Sequence, residues 1–270
     1  SGIQVGTSTT VWARSNLWYD SNNEKGKYRF RISPFERDLV NKLKTTPQGV
    51  LSDENDLWKF RSATPDGNTD DDVDPCSLVY PNGLWKMPSR NEFAQLPDKM
   101  DSIYIFDKGE PQFYGLLGLI GGNKFYEYVA RWNSVTTSSS TYEKPFNSFS
   151  RSTSNHLSFS GAGYTTGNND DISIVDRPAY STLLNVADIL GAAGGLVGGG
   201  YYWCTGPNTL TTTADYFRFT YSQTFLLKLD LQLLALNVLN INNANKDERS
   251  RLQKSYRMNL RCVRDPNYTN

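Results

Sequence analysis

Gly83-Leu84-Trp85-Lys86-Met87-Pro88-Ser89-Arg90-Asn91-Glu92-Phe93 carries the clearest structural signal in the chain. Ser89 stands where an N-cap hydroxyl accepts the backbone N–H of Glu92. Glu92, three residues on, can return a bond to the Ser89 amide, which makes a capping box. Phe93 and Leu96 give the helix one apolar face, and Pro97 ends it. Trp85, just ahead of the cap, and Trp203, far downstream, are expected core rings.

Upstream, the signals are turns and short strands. Val11-Trp12-Ala13-Arg14 and Leu17-Trp18-Tyr19 precede Lys27-Tyr28-Arg29-Phe30-Arg31-Ile32, with turn-forming residues from Asp20 to Gly26 between them. Phe35, Leu39, Val40 and Leu43 have helical spacing and predict a short amphipathic helix over 35–43. In the acidic stretch 62–75, Asp66, Asn68 and Asp70 alternate as calcium ligands do. The sixth position is however Asp71 rather than glycine, and the twelfth is Ser77 rather than glutamate, so the stretch reads as a solvated acidic turn.

Downstream, residues 113–133 predict a hairpin turning at Gly121-Gly122-Asn123. Residues 134–156 are rich in Ser and Thr and read as an exposed excursion. A short strand is expected over Leu157–Tyr164. Strands are also expected at Tyr201–Thr205, at Tyr216–Tyr221, through the apolar run Leu226–Leu239, and at Tyr256–Val263. Asn240 to Arg251 reads as a polar crossing before that closing strand. No internal repeat and no apolar-poor linker divides the sequence, so residues 1–270 are taken as one domain.

Composition narrows the chemistry. The 270 residues include 28 Lys+Arg and 28 Asp+Glu, so the formal net charge is zero and no long-range field draws in nucleic acid. The single histidine, His156, leaves no His-rich metal site and only one route to a Ser-His-Asp triad; it reads as a surface or strand-edge residue. Three cysteines, Cys76, Cys204 and Cys262, fall short of an all-thiolate zinc site. One disulfide with one thiol left over suits an exported protein. The most apolar window, Leu183–Trp203, contains Asp188 and six glycines and is a poor membrane span. No cofactor is expected.

Three segments in order complete the reading: Asp74-Pro75-Cys76 with Gly83–Phe93, then Gly200-Tyr201-Tyr202-Trp203-Cys204-Thr205, then Asn259-Leu260-Arg261-Cys262-Val263-Arg264-Asp265. Together they resemble the Fibrobacter succinogenes major paralogous domain, a C-type-lectin-like domain of surface and fimbrial proteins of Bacteroidetes. The resemblance spans nearly the whole chain. Departures are the longer step Leu78–Asn82, Cys204 where the family usually has serine, and enlarged inserts at 134–156 and 170–199.

The resemblance implies an α+β, C-type-lectin-like fold, with two short helices packed on a twisted antiparallel sheet and long loop insertions. It implies a Cys76–Cys262 disulfide with Cys204 alone. It also implies an extracellular, cell-surface location, attached to the outer membrane through other parts. Function then lies in adhesion or ligand binding, at a fimbrial tip or as the C-terminal domain of a fimbrial or lipoprotein adhesin. The partner is a host or microbial glycan or protein, or other fimbrial subunits. Candidate contacts in the loops before the closing strand and on exposed rings are Tyr216, Asn240, Asn242, Asn243 and Lys246. The triplets that share calcium with sugars are incomplete, since Trp132-Asn133-Ser134 lacks the acid and Glu143-Lys144-Pro145 lacks the adjacency. The alternatives are a structural pilus subunit or spacer, a diversified receptor varying over 205–257, and an oxidase of the formylglycine-generating type, for which Cys204 has no partner cysteine.

Overall fold

The Ser89 box forms as its spacing requires. In the computed structural model, Ser89 Oγ accepts from the Glu92 N–H at 3.2 Å, and the Ser89 N–H donates to Glu92 Oε2 at 2.7 Å. Lys86 Nζ adds an ion pair to Glu92 at 3.0 Å. The helix runs Arg90–Ala94 and turns Phe93 fully inward, where its ring stacks on Phe217 at 4.5 Å and tilts against Trp12 at 4.8 Å. The structure describes residues 2–31, 56–96, 101–107, 113–114, 118–119, 125–133, 156–160, 164–166, 173–175, 196–230, 235–247 and 251–269.

Among the described residues the fold is mostly β, with this helix and two 3-10 turns, Thr69–Asp71 and Pro75–Leu78. The helix expected over 35–43 and the turn expected at 121–123 lie outside the described residues. A four-stranded sheet orders Gly2–Ile3, Trp12–Ala13, Val263–Arg264 and Trp85–Lys86, so strands from the two ends of the sequence share one ladder. A five-stranded sheet orders Ala235–Asp247, Tyr216–Asp230, Leu196–Trp203, Met258–Asn259 and Leu57–Trp58, antiparallel except for the parallel pair Tyr202–Asn259.

Two sequence expectations are corrected by the pairing. The apolar run 226–239 is divided between two strands, Tyr216–Asp230 and Ala235–Asp247, and the second continues through residues 240–247, which had read as a polar crossing. Asparagine is a poor strand former, yet a long cross-strand ladder with Arg218–Asp230 outweighs that local preference. Likewise Phe125–Asn133 pairs with Asp101–Asp107 on one side and His156–Ser160 on the other, rather than with residues 113–119. Phe113–Tyr114 pairs only locally with Gly118–Leu119. His156 heads a strand at the edge of its three-stranded sheet.

The core holds the expected tryptophans, with Trp85 7% and Trp203 0% exposed. Trp203 Nε1 donates to the Trp58 carbonyl at 2.7 Å, and Trp58 Nε1 to the Leu17 carbonyl at 3.3 Å, so both buried indoles are satisfied. Gly200 permits the closest approach: a Cβ there would lie 2.2 Å from the Phe219 ring. Two buried polar devices tie the layers. Arg31 forks onto Asp56 at 2.6 and 2.8 Å. Arg261 donates to Asn16 Oδ1 and to the Ala13 and Arg14 carbonyls, with its guanidinium 4.6 Å over Phe159. Burial pulls the Arg261 pKa down to about 10.

Cys76 and Cys262 form the expected disulfide, both fully buried with Cα atoms 5.7 Å apart, and Cys204 is a buried free thiol. The acidic turn is spent on local structure: Asn68 Oδ1 accepts from the Asp70 N–H, Lys59 pairs with Asp66 at 2.8 Å, and Arg61 pairs with Asp72. Among the described residues, no three His, Cys, Asp or Glu side chains are grouped to hold a metal ion, and no helix is long and apolar enough to cross a membrane.

Candidate functional site

The loop after Trp203 departs from the five-stranded sheet at Cys204 and is anchored at its base. Thr205 exchanges backbone hydrogen bonds with the residues around the helix cap, its N–H to the Pro88 carbonyl at 2.9 Å and its carbonyl from the Arg90 N–H at 2.7 Å. The hub is Asp215, which is fully buried. Its Oδ1 accepts from Arg90 Nη1 at 2.9 Å and Asn208 Nδ2 at 3.2 Å, and its Oδ2 from the Asn208 backbone N–H at 2.9 Å. A buried carboxylate that accepts from a guanidinium and from two N–H donors of one loop residue fixes the loop's conformation. Gly206 is required by this arrangement, because a Cβ there would stand 2.4 Å from Asp215 Oδ2.

The tip of the loop is closed by the Leu210 N–H to the Thr213 carbonyl at 2.8 Å, and Thr213–Ala214 pairs with Leu252–Gln253. Lys254 donates its N–H to the Thr212 carbonyl at 2.9 Å and accepts from the Phe60 N–H at 3.0 Å. Two loops, 205–213 and 251–257, thus form one braced surface. Leu210, Thr211, Thr212, Gln253 and Ser255 are exposed on it, Leu210 at 54%.

Under the second loop runs a row of tyrosines. Tyr216 stacks on Tyr201 with centroids 5.8 Å apart, Tyr201 meets Tyr164 at 4.6 Å, and Tyr164 stacks on Tyr256 at 5.8 Å. The first two are buried and the last two are half-exposed, so the row carries aromatic surface from the core to the rim of the loops. Thr165 and Arg257 exchange backbone hydrogen bonds at 3.0 Å, and Arg257 Nε donates to the Leu57 carbonyl at 3.2 Å, which fixes the Tyr256 end.

The residues singled out from sequence are placed differently. Tyr216 is 6% exposed and belongs to the buried end of the row, so it supports the surface instead of presenting a ring to a partner. Asn240, Asn242, Asn243 and Lys246 lie on the strand Ala235–Asp247, opposite Phe225, Gln223, Ser222 and Phe219. Phe225 is nine residues beyond Tyr216 on its strand, about 30 Å at ~3.3 Å per residue, so the five do not make one site. Sequence reasoning missed Asn208, Leu210, Asp215 and Tyr256. The turn-forming Gly206-Pro207-Asn208 marked a loop, but nothing local to it announced that Asp215 would organise it.

Chemically, the surface offers hydroxyls, an amide, one aliphatic side chain and a half-exposed ring. The free thiol at the base of the first loop, Cys204, is fully buried, and its pKa is pushed up by desolvation, then by the neighbouring Asp215 carboxylate, with Arg90 opposing. No family model, curated protein or solved structure matches the chain.

Proposed function

We propose that this chain is a non-catalytic ligand-binding or adhesion domain of an exported surface protein, built as a single C-type-lectin-like domain. The observation that carries the reading is the braced pair of loops, 205–213 and 251–257. Rigid loops on a disulfide-linked β scaffold suit recognition, because little conformational entropy is lost when they meet a partner. Small polar groups beside Leu210 and Tyr256 suit a glycan or a protein edge. The position as the tip or C-terminal domain of a fimbrial or lipoprotein adhesin rests on the family resemblance. An oxidase reading is disfavoured by a Cys204 thiol that is buried and held protonated.

Glycan and protein arrays probed with the whole chain test this. Binding should weaken at least tenfold in Leu210→Ala, Gln253→Ala and Tyr256→Ala. Binding unchanged in all three would remove the surface from consideration.

A second reading, a structural fibre subunit, draws support from the strand Ala235–Asp247, which ends the order of the five-stranded sheet. An edge strand is a template for strand addition from a neighbouring subunit. Concentration-dependent fibre growth that Val238→Pro abolishes would favour it over the adhesin.

A further inference from the structure

We propose that Asn267 is a glycan acceptor. Asn267-Tyr268-Thr269 is the one Asn-Xaa-Ser/Thr triplet in the whole sequence, and its middle residue is not proline. It lies just past the closing strand Val263–Arg264, in a turn whose backbone is already satisfied: the Asn267 N–H donates to Asp265 Oδ1 at 2.9 Å, and the Tyr268 N–H to the Asp265 carbonyl at 3.3 Å.

The three side chains of the triplet divide their roles. The half-buried ring of Tyr268 packs beside Gly83, where a Cβ would meet Tyr268 Cδ2 at an ordinary contact distance of 3.8 Å; the φ of +85° is what favours glycine at that position. That contact anchors the middle residue, and Asn267 and Thr269 on either side of it are both exposed. A transferase therefore finds the amide and the hydroxyl together on an open turn, beyond any strand it would have to unpair. The second observation is the buried Cys76–Cys262 disulfide, five residues upstream. A disulfide persists in an oxidising, non-cytosolic compartment, which is where lipid-linked oligosaccharide transfer takes place.

The donor is an oligosaccharide carried on a polyprenyl pyrophosphate. Asn267 Nδ2 attacks its anomeric carbon, and a carbon–nitrogen bond forms as the bond from that carbon to the pyrophosphate oxygen breaks. The amide loses one proton to a base of the transferase, and the polyprenyl pyrophosphate departs with the bonding electrons. No oxidant or reductant enters. The turn that carries the attachment is tied at its start to Leu84, whose carbonyl accepts the Asp265 N–H at 2.9 Å, and it is separate in sequence from both loops of the candidate binding surface.

The test is the intact mass and peptide map of the full chain secreted through a compartment that contains such a transferase. Non-reducing mass analysis confirms the disulfide in each sample. The expected result is a mass above that of the polypeptide, located to the peptide containing Asn267. It should collapse on treatment with a glycan-releasing amidase that leaves aspartate there. The added mass should vanish in Asn267→Gln and Thr269→Ala and persist in Thr269→Ser. Both changed positions are exposed, so folding is not at issue. An oxidised, secreted chain whose Asn267 peptide is unmodified would overturn the assignment, as would added mass surviving in Asn267→Gln.

Discussion

Asp74 shows how one side chain serves several parts of the molecule. Its Oδ1 accepts from the Cys76 N–H at 2.9 Å and its Oδ2 from the Met87 N–H at 2.7 Å, so it joins the disulfide-bearing turn Pro75–Leu78 to the segment entering the capped helix. Burial raises its pKa above the ordinary 3.8, more than the Met87 and Cys76 N–H groups and the charges of Arg61 and Lys86 lower it. The sign follows: the folded state binds this proton more tightly than the unfolded chain, so the associated stability is present below the ordinary aspartate range and is lost as pH rises through the raised value. Urea unfolding at a series of pH values, wild type minus Asp74→Asn, should give a difference that declines with rising pH across that window. A difference that is flat or rises would contradict the burial argument. The sequence showed Asp74-Pro75-Cys76 as a motif but could not show this, because the desolvation of a carboxylate is set by what folds over it.

At the level of elements, the capped helix and the loop after Trp203 are one mechanical unit. The helix was legible because Ser89, Glu92, Phe93 and Pro97 are all local to it, and the cap formed as their spacing required. Ser89→Ala should cost about 1 kcal/mol, measured as a shift in the urea midpoint at constant slope. The loop was not legible, since Asp215 reaches it from the position just before the strand Tyr216–Asp230 and Arg90 from the helix, 125 residues apart. Gly206→Ala should push a Cβ into Asp215, release the Asn208 contacts and raise amide exchange across 206–213, with the sheet interior unchanged. Protection in that loop equal to wild type would show that Asp215 does not hold it. The strand Ala235–Asp247 makes the same point: its asparagines read as a crossing, and pairing with a neighbouring strand made them part of a ladder.

For the molecule as a whole, the longest constraint is the disulfide, which closes a loop whose ends are 186 residues apart in sequence. On the chain-entropy account such a link stabilises by about 5 kcal/mol at most. Paired Cys76→Ala and Cys262→Ala should therefore lower unfolding stability by about 2–5 kcal/mol while Cys204→Ser, with no bond to lose, should act only through its buried site. Equal stability with and without the link would show that the four-stranded sheet alone holds the ends together. By itself, the sequence determined the helix cap, the buried tryptophans and the turn-rich β character, since each is written in neighbouring residues, whereas the pairing of Cys76 with Cys262 was legible only as what the family resemblance implied. Only the tertiary structure decided which strands pair, that Tyr216 is covered, and that two loops far apart in sequence share one face. Hydrophobic period marks which side chains seek burial, whereas partners and register are chosen by the packing of distant segments against one another.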